Sequence, residues 1–288
     1  MLVTRRAGGL ALITQPDHAA LAGLLAEHWG NERFAIPAAR ESLVCAARHH
    51  DDGWLELDRR PTYNAQQQRP AHFTELPLSE TIGPYGRGVE SVYRRDPHAG
   101  ALASMHFSGF YTSRWGCGSG PASPDPLARQ VVAEQEARWM PALREAWGYR
   151  GRRSDFDAAT WHAYEVLQAV DLLSLAIGLM DLDGPGGSGE ALDMAATLAR
   201  LDQPGGGRIL TSVPTDAAGE HLAIRLQPAG PGRLELDPYP FGEPELEVAM
   251  PSRELDDRAY ASPEEVAVAL HAADARERRV TLAVPGQR

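Results

Sequence analysis

Residues 46–54 read Ala-Ala-Arg-His-His-Asp-Asp-Gly-Trp, which sets two imidazoles and two carboxylates side by side where a helical pattern ends. Imidazole and carboxylate are borderline-to-hard ligands that suit Mn, Fe, Co, Ni or Zn. Upstream, Ile36-Pro37 opens a run in which Leu43, Val44 and Ala47 recur at helical spacing, so His50 and Asp51 project from its last turn. Adjacent helix positions diverge by about 100°. A long imidazole and a short carboxylate can still converge on one ion beyond the helix end. The same residues also suit a plain charged helix C-terminus with Gly53 as its stop, so the surrounding elements must decide between the two.

Those elements are mostly helical. Residues 1–14 suit a short β-hairpin with Ala7-Gly8-Gly9 as its turn. Pro16 then opens a helix that carries Leu21, Leu24, Leu25 and His28 on one face, with His18 one turn ahead of Leu21. A histidine on such a face is either a satisfied core residue or a ligand. After Trp54 the chain is irregular and Pro-rich to about residue 78, His72 included; loops of this length are often lids or binding loops. It is the expected substrate-contact segment, with a plain surface loop as the alternative. Asp96-Pro97 makes an N-cap and first turn, and Leu102, Met105, His106 and Phe110 follow at helical spacing, so His106 faces the core. Arg114, two turns on, suits either an anionic group or a surface ion pair. A Gly/Pro/Ser connector at 116–126 precedes a helix to about 147, and a longer one runs over 154–181. That last helix is apolar nearly all round after Val166 and should be central. Asp171 sits in its middle. A buried lone carboxylate is costly unless paired or metal-bound, so the alternatives are a metal site, an Arg partner, or a narrow polar face shared with Gln168.

His50-Asp51, followed by Asp52-Gly53 at the end of an apolar helix, resembles the His-Asp doublet that names the HD superfamily. The N-terminal part is also similar to an HD-related family of bacterial proteins of unassigned function. The resemblance covers roughly residues 10–181. It implies an all-helical fold and metal ligands in the order His … His-Asp … Asp, with extra His between the doublet and the last Asp. Carried onto this chain, the ligands are His18, His50, Asp51 and Asp171, with His106 as the additional imidazole. Asp52 stands where the superfamily usually has an aliphatic residue and brings a further carboxylate near the site.

Past residue 181 the composition changes. Two Gly/Pro-rich runs bracket a short Ala/Leu stretch at 182–207, and the first formally matches GxGxxG. It follows a helix and not a strand, so it carries no dinucleotide signal. Strand-like runs follow at 209–213, 221–226, 233–236, 245–249 and 280–284, with a helix at 262–273. The expected fold is therefore mainly α: an HD-like bundle over 1–181 with a short N-terminal hairpin, a linker at 182–207, and a small α+β element over 208–288.

Composition narrows the function. The net charge is −11, which argues against nucleic-acid or anionic-membrane partners. All 28 basic residues are Arg, so lysine Schiff-base and Walker-type chemistry are excluded. The two cysteines lie far apart with no CxxC, no apolar run is long enough to span a bilayer, and the chain reads as cytosolic. Neither GxSxG nor HExxH occurs.

The expectation is a phosphohydrolase using one or two divalent ions on a small-molecule substrate. Asp52 or His49 would serve as base, and Arg48 or Arg114 would steady the phosphoryl charge. The alternatives are an HD-type di-iron oxygenase, with His106 and His98 or His72 as further ligands, and a non-catalytic metal-binding scaffold. For the C-terminal element, covering the site, forming a homodimer and binding a partner are all open.

Overall fold

The helices of the first two thirds of the chain pack around one apolar rod, and the strands close over one end of it. The computed structural model describes residues 1–6, 9–112, 123–182 and 207–286. In chain order the main elements are β1(Leu2–Arg6), β2(Gly9–Ile13), α1(Gln15–His28), α2(Arg40–His49), α3(Leu55–Arg59), β3(Tyr63–Asn64), β4(Arg69–Pro70), α4(Leu78–Arg95), α5(Pro97–Gly109), α6(Pro126–Trp147) and α7(Arg153–Leu179). They continue with β5(Arg208–Pro214), β6(His221–Pro228), β7(Arg233–Asp237), β8(Glu245–Leu255), α8(Pro263–Ala272) and β9(Ala275–Ala283).

The rod is α7. From Val166 to Leu179 each of its residues is buried, Asp171 included. Helices α1, α2 and α5 pack directly on it. Their starts follow ordinary capping chemistry: Thr14 Oγ1 accepts from Asp17 N at 3.1 Å, and Asp96 Oδ1 accepts from His98 N at 2.8 Å.

The mainly-α, all-helical expectation is overturned by the sheet. Seven strands pair in the order β1-β2-β8-β9-β7-β6-β5. The N-terminal hairpin is not an ornament on a helical bundle: Leu10, Ala11 and Leu12 of β2 pair with Leu255, Glu254 and Arg253 of β8. The sheet thus cuts across the expected boundary between residues 1–181 and 208–288. Strands β8 and β9 are also longer than their apolar runs suggest. Val280 and Leu282 mark the inward face, but the first half of β9 is Ala-Arg-Glu-Arg-Arg and is held by pairing, with Arg276 against Glu254 at 2.7 Å.

The sheet satisfies the far end of α7. A helix leaves its last four carbonyls without helical partners. Here Thr4 Oγ1 donates to Leu179 O at 3.3 Å and Arg6 Nη2 to Gly178 O at 2.9 Å, both from β1. From β9, the buried Arg278 guanidinium donates to the carbonyls of Ile177 and Met180. A cation at this helix end also suits the helix dipole. No described helix is long and apolar enough to cross a membrane.

Candidate metal centre

Helix α2 ends at His49, and the chain turns through His50 and Asp51 into a 3-10 turn at Asp52–Trp54. Close approach to α4 fixes this corner. A Cβ on Gly88 would lie 2.0 Å from His50 O, and one on Gly53 would lie 2.1 Å from Pro84 O. Neither position has room for a side chain, so backbone rests on backbone. Trp54 is fully buried and meets the Tyr85 ring edge-on at 5.0 Å.

This corner delivers His50 and Asp51 into the space where α1, α5 and α7 converge. His18, His50, Asp51, His106 and Asp171 are each 4% exposed or less. Their ligand atoms fall in two groups, His18/His50/Asp51 and His50/His106/Asp171, and within each group they lie inside 4.8 Å of one another. These buried His and Asp groups could hold a metal ion. The individual approaches are His18 Nε2 to Asp51 Oδ2 at 2.9 Å, His50 Nε2 to Asp171 Oδ1 at 3.3 Å, and His106 Nε2 to Asp171 Oδ2 at 3.7 Å.

Hydrogen bonds behind the rings determine which nitrogens face inward. His50 Nδ1 donates to Ala47 O at 2.9 Å, which turns Nε2 inward toward Asp171 Oδ1 at 3.3 Å. Ser174 Oγ gives its proton to Asp171 O at 2.7 Å, so it accepts from His18 Nδ1 at 3.0 Å. His18 in turn presents Nε2 to Asp51 Oδ2 at 2.9 Å, where a hydrogen bond to the carboxylate holds the ring. Behind His106 stands the Gln168 amide, 2.8 Å from Nδ1, while Gln168 Oε1 is buried without a partner. Exchanging the amide O and N, whose placement rests on the hydrogen-bond network, lets Nδ1 donate to Oε1 and points the His106 lone pair at Asp171. Metal-binding histidines are typically held in this way from behind.

Electrostatics give the test of fit. His50 Nε2, His106 Nε2 and Asp51 Oδ1 are buried without a well-aligned hydrogen bond. Unsatisfied buried polar atoms are costly; an ion in the His50/His106/Asp171 group would satisfy the two imidazole nitrogens, and one in the His18/His50/Asp51 group would satisfy the Asp51 oxygen. Burial works to lower the His50 pKa, but the Asp51 and Asp171 carboxylates outweigh it and raise it to about 9. Burial works to raise Asp171, yet the three facing imidazoles hold it well below the usual carboxylate range. His106 goes the other way, brought down to about 4 chiefly by burial. The two carboxylates draw positive charge into the cluster, and His106 resists supplying it as a proton. The donor set of three imidazoles and two carboxylates fits a divalent ion of the Mn-to-Zn series.

Beside the cluster is a cavity of about 280 Å³. Its wall includes Phe73, Thr74 and Leu76, so the end of the irregular segment after Trp54 does reach it. Earlier parts of that segment form the β3–β4 hairpin and a His72 cap, whose Nδ1 faces Thr74 Oγ1 at 2.9 Å. Tyr85 and Tyr111 also line the cavity. Burial, with Asp51 nearby, pushes the Tyr85 phenol well above its ordinary pKa and keeps it a hydrogen-bond donor.

The structure therefore brings together His18, His50, Asp51, His106 and Asp171. It does not bring in Arg48, His49 or Asp52, none of which lines the cavity. Arg48 pairs with Glu27 at 2.7 Å, and Asp52 pairs with His49 and Arg95, each at 3.1 Å. Arg114 lies outside the described residues. His98 and His72 join neither ligand group. Gln168 and Ser174 have a site role that the sequence signalled only as spacing: they stand at i−3 and i+3 from Asp171, on the same helix face. Nothing local marked Tyr85.

No curated protein and no solved structure matches the chain. A family model described as "Protein of unknown function (DUF3891)" matches residues 1–257, a span that takes in the whole ligand cluster and strands β1 to β8. That span is well over half of the chain, and the protein is a member of the DUF3891 family.

Proposed function

We propose that this chain is a cytoplasmic, metal-dependent hydrolase of the HD type, acting on a phosphate ester or anhydride of a small molecule. One observation carries the reading: five buried His and Asp side chains meet, with three ligand atoms unsatisfied, on the wall of a cavity. His18, His50, Asp51 and Asp171 would hold a divalent ion, which would supply Lewis acidity toward water and a phosphoryl oxygen.

The chain's own residues do the remaining work. Ala47 O and Ser174 fix the ring orientations of His50 and His18, and Gln168 fixes that of His106. The Tyr85 phenol faces the cavity as a neutral donor, suited to a phosphoryl or leaving-group oxygen. Phe73 and Phe110 exclude bulk water, which strengthens each polar contact inside. The net charge of −11 fits a small-molecule substrate better than a nucleic acid.

A second reading, an HD-type di-iron oxygenase, is favoured by one specific feature. The two ligand groups share His50, and a single ion does not need His106.

Elemental analysis of untagged protein from Mn- and Fe-supplemented cells tests both, followed by a phosphate-release screen. About one Mn, Co, Ni or Zn per chain with phosphate release supports the hydrolase. About two Fe per chain with no phosphate release supports the oxygenase. Protein that carries no metal at all sinks both and leaves a scaffold.

A further inference from the structure

We infer that this site selects its substrate by one compact aromatic body seated beside the metal ligands, and so takes aryl-type phosphomonoesters in preference to nucleotide polyphosphates. The inference rests on the hydrolase reading above.

The wall nearest the ligands is aromatic. Phe110 meets the His106 ring edge-on, with centroids 4.6 Å apart at 74°. Tyr85 lies 5.1 Å from Phe110, and both are braced from behind by Phe107, at 5.0 Å and 6.5 Å. Aromatic pairs gain most from edge-to-face or offset contact at centroid separations of about 4.5–7 Å. A flat ring entering here meets faces and edges already held in place. Phe73, Leu76, Leu78 and Leu175 add to the apolar lining, which narrows the entrant to a compact body.

Size points the same way. A cavity of about 280 Å³ lies just below the roughly 300–1,000 Å³ usual for small-molecule sites. The aromatic wall gives a ring its contacts and offers a chain of phosphates none, and the volume leaves no room for a nucleoside that carries such a chain. The other polar lining is neutral, with the Thr74 and Thr81 hydroxyls prominent. In the reaction the bond from phosphorus to the aryl oxygen breaks and water forms the new P–O bond. The phenol leaves with a proton.

The test uses the full chain loaded with Mn. Phosphate release is measured from phenyl phosphate, ATP and pyrophosphate, and binding of phenylphosphonate and methylphosphonate is measured by calorimetry. Expected are a kcat/KM at least ~100-fold higher for phenyl phosphate than for ATP, and phenylphosphonate binding at least ~10-fold tighter than methylphosphonate. Phe110→Ala should erase that binding preference with Mn content unchanged. Leu76→Ala, on another part of the wall, serves if the first variant misfolds. ATP or pyrophosphate turned over as well as phenyl phosphate would overturn the inference, as would equal binding of the two phosphonates. Loss of phosphate release from every substrate, with the aryl binding preference intact, would instead overturn the hydrolase reading alone.

Discussion

Two imidazole–carboxylate pairs lie within four consecutive residues and have opposite fates. His49 and Asp52 face outward, each side chain 28% exposed; Asp52 also has Arg95 at 3.1 Å and Ser91 at 3.3 Å. His50 and Asp51 turn inward, at 4% and 2% exposure, and hold polar atoms with no hydrogen-bond partner. The outer pair is satisfied and solvated, so its net worth is small. The inner pair is under-satisfied in a place where that is costly. Residue type is the same in both; environment makes one a candidate ion site and the other a surface ion pair.

The contrast can be broken most directly at its carboxylates. Asp51→Ala should remove metal binding, with bound ion falling by ~100-fold or more on elemental analysis while far-UV circular dichroism stays that of the native fold. Full occupancy in that variant would move the site elsewhere. The corner that separates the two pairs is next. Gly88→Ala forces a Cβ to within 2.0 Å of His50 O, and should cost about 3 kcal/mol or more in urea unfolding.

A third kind of histidine sharpens the electrostatic side. His72 is buried, and burial, with the Met1 ammonium and Arg69 adding to it, lowers its pKa to about 3. Its unfolded value lies above its folded one, so the unfolded chain takes up the proton first. Stability from neutral His72 is present above about pH 6.5 and drains away as pH falls toward 3. His106, brought down to about 4, shares that window in metal-free protein. Urea midpoints of metal-free protein measured from pH 7 to 4.5 should fall by an amount worth about 4 kcal/mol, about half of it from His72, and so less steeply in His72→Asn. An unchanged slope would count against the buried neutral ring.

Smaller effects follow. Gln168→Ala removes the support behind His106 and should weaken metal affinity about tenfold by competition with a chelator. Asp52→Ala, on the outer pair, should leave metal content unchanged and cost no more than about 1 kcal/mol. A loss of metal in Asp52→Ala would erase the contrast between the pairs.

The sequence made His18, His106 and Asp171 legible because each sits on a helix whose apolar period aims it at the core, and His50 and Asp51 because they follow directly on such a helix. His106 rides with Leu102 and Met105, and Asp171 lies within an apolar rod. What it could not show was direction past a helix end. Arg48, His49 and Asp52 are neighbours of the doublet in sequence, but successive side chains diverge by about 100°, which carries them to another face. The sheet was hidden for a different reason. Pairing β2 with β8 joins Leu12 to Arg253, and no local periodicity encodes a partner that far along the chain. The first half of β9, nearly all charged, had no strand signature of its own. Tyr85, next to Pro84 within α4, carried no signal that set it apart from other helix residues.

The clasp at the end of α7 bears on motion. Thr4, Arg6 and Arg278 fasten the carbonyls of residues 177–180 to β1 and β9. Strands from both ends of the chain therefore share one attachment to the helix that carries Asp171. Sheet and helix should melt in a single cooperative transition, and α7 is no hinge. Breathing that admits a molecule to the cavity falls to the opposite rim, where Thr74, Leu76 and Tyr111 are only half-buried.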